Sequence, residues 1–226
     1  MQRASVMSAA ELAYRFRQVL VDSKERVRHA LSLGGPPKAE DPSSLTSLLR
    51  PDARQLFVPA YERSAADEGL LLSGKVAVFG QWLMVGSDAE FWHRDPLSGA
   101  VWPRRPFRQL DYRPGNSTGD VRVVWELNRL QHLFALAVLA DQDPSRRGGA
   151  IAVIERQLAG WEAANPTGIG VNFISAMEEA LRLVALFHTY DLVREWVSDS
   201  TRLCVGRIAL SHSRHVASRL SLYSSA

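Results

Sequence analysis

The sequence is poor in cysteine, in lysine and in long apolar runs. Its single cysteine, Cys204, excludes an intramolecular disulfide, so nothing in the chain requires an oxidising compartment. No stretch of ~18 apolar residues occurs, which removes a membrane-spanning helix. Arg3, Glu11, Arg15 and Arg17 interrupt the first twenty residues too often for a secretory signal. The expected setting is cytoplasmic, or periplasmic if the true start lies upstream. Glycine and proline, at 15 and 11 of 226 residues, are too few for a fibrous or low-complexity chain. What is present is 46% apolar and 23% charged residues, enough to bury one sizeable core.

The basic residues are almost all of one kind. Only Lys24, Lys38 and Lys75 are lysines, and the other 24 are arginines. A genomic base-composition bias accounts for this as readily as a ligand does, but the guanidinium fork suits carboxylates, sulfates and phosphates. Acidic residues are interleaved throughout, the net charge is only +3, and no basic tract or nucleic-acid motif occurs, so neither nucleic acid nor a membrane is the expected partner.

Ser8 to Leu31 carries Leu12, Phe16, Val19, Leu20 and Val27 at helical spacing, with Ser8 and Glu11 placed as a capping box. Gly34 to Ser44 has the composition of a linker, and a second helical stretch spans Asp52 to Leu72. Between Gly74 and Gly86 the pattern predicts a β-hairpin pairing Val76–Phe79 with Trp82–Val85. Ser87 to Gly119 holds four prolines and no helical period. A loop of that length is expected to be functional or packed over a surface. The remainder predicts helices from Asp120 to about Asp141, from Arg146 to Ala164, from about Asn172 to Tyr190 and from about Ser198 to Leu222. Short connections make successive helices antiparallel neighbours. The expected fold is all-α, a stack of helix hairpins with one small β-hairpin near residues 75–86. It divides into an N-terminal helix (1–33), a linker (34–51) and a helical domain (52–226).

Three clusters could carry chemistry. In the first, a loop presenting Trp92, His93 and Trp102 would offer flat apolar faces to sugar rings, or would pin that loop to the helices. In the second, Trp125, Glu126 and Arg129 share a helix, with Arg122 a further i,i+4 partner of Glu126. Arg129 would face a cavity and receive an anion, or would make an ion pair between helices. In the third, Asn172 stands near a helix start, Glu178 and Arg182 form an i,i+4 pair, and Met177, Leu181 and Val184 read as core. His212 and His215 lie at i,i+3 without a third ligand of matching spacing, so a surface pair is expected rather than a metal site. No nucleophile elbow, P-loop or dinucleotide fingerprint is present, and no cofactor is expected.

The ordered set Trp92-His93-Arg94-Asp95-Pro96, Trp102-Pro103, Gly119-Asp120, Trp125-Glu126-Leu127-Asn128-Arg129, Trp161, Asn165-Pro166, Gly170-Val171-Asn172 and Ala176-Met177-Glu178 with Arg182 resembles the N-terminal helical domain of heparinase II/III family polysaccharide lyases. The resemblance spans about residues 75 to 226, with Phe173 where the family commonly has tryptophan. It implies an incomplete (α/α) toroid, followed in the family by an antiparallel β-sandwich. It also implies β-elimination on uronic-acid-containing glycans, with a neutralised uronate carboxylate and a Tyr or His exchanging protons. Trp92, His93, Trp102, Trp125, Glu126, Arg129, Asn172, Glu178 and Arg182 are then the substrate-facing candidates. The family's Asn-Asn-His segment and catalytic tyrosine fall beyond the position matching Ala226. No catalytic residue is therefore assigned, and this chain alone is expected to be inactive. The partners expected are an acidic polysaccharide or oligosaccharide, and either the missing C-terminal domain or a second copy through exposed helix faces. Two alternatives stand beside this reading. One is a non-catalytic helical module binding acidic oligosaccharide or a protein. The other is a hydrolase using Glu126 or Glu178 as an acid.

Overall fold

The computed structural model describes residues 7–30, 65–86 and 88–220. The linker expected at 34–51, the first part of the helix expected from Asp52, and the end of the helix expected to reach Leu222 lie outside them. The described chain is mostly helical, with a small two-stranded antiparallel sheet.

Helix α1 (Ala9–Ala30) starts as the sequence predicts, with the Glu11 amide donating to the Ser8 hydroxyl at 3.1 Å. Its apolar stripe of Leu12, Phe16, Val19, Leu20 and Val27 is exposed. The helix is tied to the end of the chain's helical body by Tyr14 Oη donating to the Leu220 carbonyl and Gln18 Nε2 to that of Ser218. Helix α2 (Ala65–Leu72) leads into strands β1 (Lys75–Val78) and β2 (Gln81–Met84), one residue earlier than the alternation suggests. The shift follows from the turn. Phe79 and Gly80 both adopt positive φ, the two-residue geometry that matches strand twist, so they leave the ladder.

The single helix expected from Asp120 to Asp141 is two: α3 (Val121–Asn128) and α4 (Gln131–Gln142). Between them Leu130 is left-handed (φ 58, ψ 21) yet fully buried. Apolar periodicity runs through such a break without a mark, because Leu127, Leu130 and Leu133 are all core. Helices α5 (Arg147–Ala164), α6 (Ala176–Val193) and α7 (Asp199–Ser218) complete the body. Helix α4 packs on α5 and α6, and α7 packs on the same two, so the four form a closed ring of neighbours. Short connections at 143–146 and 194–198 make α4–α5 and α6–α7 two antiparallel hairpins.

Helix α6 begins four residues later than expected, at a Ser175 cap rather than at Asn172, which lies in a short 3-10 turn (Val171–Phe173). Its first two turns bury ionic residues, while its later turns bury Leu186, Tyr190, Leu192 and Val193. Glu178, Glu179 and Arg182 are buried, while Met177 and Val184, expected in the core, are 63% and 55% exposed. The loop from 88 to 119 is packed down. Asp95 ties a turn through the amides of Leu97 and Ser98, the Trp102 amide donates to the His93 carbonyl, and Trp102 joins Leu110, Val121, Val124, Trp125 and Val171 in a second small core. Because the Ser175 hydroxyl accepts from the Glu178 amide, Ser175→Ala should cost about 1 kcal/mol, and Ser175→Asp should restore it, read as the urea unfolding midpoint.

Candidate functional site

The polar residues of the three clusters meet in the middle of the body, around Asn128. This last residue of α3 uses its whole amide. Its Nδ2 donates to the Val124 carbonyl at 2.8 Å and to the Trp92 carbonyl at 2.9 Å. Its Oδ1 accepts from Trp161 Nε1 at 2.8 Å and from Asn172 Nδ2 at 3.0 Å. Asn172 Nδ2 also donates to Asn165 Oδ1 at 2.7 Å, and Asn165 holds the end of α5 through the Trp161 carbonyl. The chain at Trp92, the end of α3, the end of α5 and the turn at Asn172 are thus joined through buried side-chain amides.

Arg182 lies beneath this hub with 0% exposure. Its Nε donates at 2.5 Å to the Asn128 carbonyl, which the helix break leaves without a helical partner, and its guanidinium sits 4.7 Å from the Trp161 ring centroid. Its Nη1 donates to His212 Nε2 at 2.8 Å. A guanidinium can only donate, so His212 accepts at Nε2, and its ring proton resides on Nδ1. That edge faces Glu179 Oε2 at 3.8 Å, and His215 Nδ1 lies 2.5 Å from Glu179 Oε1. Burial, opposed in part by Glu179 and Glu178, pushes the Arg182 guanidinium down to about 10, so it stays charged at neutrality. Burial first, then Arg182 and then His215, drives His212 well below the usual histidine range. His212 and His215, expected as a surface pair, are instead buried partners of a carboxylate on the neighbouring helix α6.

Arg129 makes a second node. Its Nε and Nη2 grip Glu178 at 2.8 and 3.0 Å, and Nη1 pairs with Glu126. The cation expected to await an anion is therefore held between two carboxylates, and Glu178 is not the partner of Arg182. Nor does Arg122 pair with Glu126; it folds back onto its own helix cap, Asp120.

Of the nine substrate-facing candidates, Trp92, His93 and Trp102 are 1%, 0% and 1% exposed, so they offer no sugar-binding face. Trp125 is buried with Nε1 donating to the Val171 carbonyl. Asn172, Glu178 and Arg182 are buried, while Glu126 and Arg129 reach partly to the surface. The structure adds Asn128, Asn165, Glu179, His212 and His215. The i,i+3 spacing of the histidines signalled a shared helix face; the carboxylate opposite them was hidden in a segment that reads as core. Gly170 closes the network. At φ 85 it lies against His93, where an added Cβ would stand 2.5 Å from Cε1. Cys204 is buried, its thiol pushed up by burial and by the Glu162 carboxylate beside it. Among the described residues no group of His, Cys, Asp or Glu is arranged to hold a metal, and no helix is long and apolar enough to cross a membrane.

Comparison with protein-family models, with curated proteins and with solved structures finds no match.

Asn128→Ala strands the Trp161 indole donor and leaves the Trp92 carbonyl only a 3.4 Å contact from Asn172, and should cost about 2 kcal/mol in urea unfolding. Acid should act on the same region. His93 is also lowered, chiefly by burial, with Arg104 adding to it against the Ala164 carbonyl. Both rings stay neutral when folded but take protons in the unfolded chain below about pH 6.5. The stability they permit is complete above that value and is lost as pH falls beneath it. The thermal midpoint should drop between pH 7.5 and 5.5, and His212→Gln should flatten that slope; an unchanged midpoint would refute the assignment.

Proposed function

We propose that this chain is the helical glycan-binding part of a polysaccharide lyase of the heparinase II/III type, its two hairpins belonging to an incomplete (α/α) toroid, and that it holds a uronate-bearing glycan without cleaving it. The reading is supported by one observation above the others. The motif residues Trp92, Asn128, Trp161, Asn165, Asn172 and Arg182, spread over ninety residues, converge on a single buried network. That residues recurring in the family's order also converge in space supports the resemblance. Its members brace the connections between helices, so their role is to hold the glycan-facing surface in shape.

The acid–base chemistry belongs elsewhere. Glu126 and Glu178 are both engaged by Arg129, which leaves neither as the acid of a hydrolase. His93, His212 and His215 are enclosed in the network, away from any bulk-water substrate. The test is to incubate the purified chain with hyaluronan, alginate and heparin, following the ultraviolet absorbance of unsaturated uronate alongside binding by calorimetry. Saturable binding to at least one polymer with no absorbance gain is expected. Binding to none would overturn the proposal, and elimination by the chain alone would overturn its non-cleaving part.

A second reading, a module docking a protein, draws on the outward-facing Met177 and Val184 and on the exposed apolar stripe of α1.

A further inference from the structure

Several arginines of the body are paired internally. Arg94 meets Glu90, Arg122 meets Asp120, Arg129 meets Glu126 and Glu178, Arg146 meets Glu68 and Asp143, and Arg207 meets Glu162. The loop from Pro103 to Gly115 is different. It carries Arg104, Arg105, Arg108 and Arg113 against a single acid, Asp111, which is engaged by the Arg113 amide. Arg104, Arg105 and Arg113 are exposed, and among the described residues none of them makes an ion pair. Tyr112, in the same loop, is also exposed.

This loop is not a loose strand of charge. Pro103 and Pro106 bracket the two adjacent arginines. The Gly170 amide donates to the Arg105 carbonyl at 2.9 Å, and the Phe107 amide to that of Gly168 at 3.0 Å. Phe107 is buried edge-on against His215, and the Arg108 and Arg219 guanidiniums lie 5.1 and 4.8 Å from its ring centroid. The backbone at Arg105 and Phe107 is thereby anchored to the same network that organises the body. Exposed guanidiniums carried on an anchored backbone can pair with carboxylate or sulfate, and an exposed aromatic ring in the same loop suits the C–H face of a sugar.

Resting on the reading of the chain as a glycan binder, we propose that the acidic glycan is held by the 103–115 loop, through Arg104, Arg105 and Arg113 with Tyr112 as platform, and not by Arg129. A carboxylated or sulfated oligosaccharide is favoured over a single-stranded nucleic acid because the loop offers one exposed aromatic ring rather than a row of stacking faces.

The test is calorimetric titration of the full chain with hyaluronan, alginate and heparin tetrasaccharides, with cellotetraose and tetrathymidylate as comparators. The variants are Arg104→Ala/Arg105→Ala, Tyr112→Ala, and Arg156→Ala as an exposed arginine on α5, away from this loop. The double variant should weaken uronate binding at least ten-fold and reduce its salt dependence. Tyr112→Ala should weaken binding several-fold, while Arg156→Ala should leave it unchanged, all with unaltered thermal midpoints. Wild-type binding that survives the double variant would overturn this site and leave the glycan-binding proposal standing. Tighter binding of tetrathymidylate than of any uronate would overturn the choice of ligand. Failure of the wild type to bind any acidic glycan would overturn both proposals.

Discussion

A guanidinium with no access to water sits at the centre of this protein, and much of the backbone around it is arranged to make that tolerable. An uncompensated buried charge costs several kcal/mol, so Arg182 has to be met from more than one direction. Glu179 and Glu178 supply the opposite charge through space, Trp161 supplies a ring face, and His212 supplies a neutral acceptor. The Asn128 carbonyl supplies the shortest contact, and it is available only because α3 stops there. Leu130 in a left-handed conformation is the local strain that accompanies this stop.

From that centre the other irregularities follow in turn. Breaking α3 from α4 leaves the Asn128 side chain free to gather Trp161, Asn172 and the Trp92 carbonyl. Holding Asn172 there keeps it out of helix α6, which must then start at Ser175. Bringing the 3-10 turn at Val171–Phe173 so close to His93 requires a residue without Cβ at Gly170. Local departures from regular structure here give partners to the Asn128 side chain, the Trp161 indole and Arg182 Nε, although Asn172 Oδ1 and Arg182 Nη2 make no hydrogen bond.

The helices of the body were largely legible because their apolar residues recur at three- and four-residue spacing and their ends carry caps. Ser8, Asp120 and Ser198 all act as the sequence suggests. The hairpin was legible from its glycine and its β-branched and aromatic residues, to within one residue. The break at Leu130 was not, because a leucine fits both the helix interior and the core and carries no turn signature. Periodicity also misled at α6. Met177, Leu181 and Val184 share a face, but a pattern can only show that a helix has two faces, and in the first turns of α6 the buried one is ionic. Spacing relates Arg129 to Glu126 but carries no sign of Glu178, and pairs His212 with His215 without showing Glu179 opposite them. Contacts between elements distant in sequence decide such pairings, and no spacing rule encodes them.

The burial of ionic residues in the first turns of α6 also sets how the protein meets oxidants. A thioether in a core cannot become a sulfoxide without forcing a strong dipole among apolar neighbours. Met177 and Met84 both face solvent, so peroxide can reach their sulfur atoms and oxidise them while the packing beneath stays intact. Cys204, enclosed and held as the unreactive thiol, is shielded from the same chemistry. A sulfoxide at Met177 would place its dipole on the solvent-facing side of α6 rather than among the packed helices.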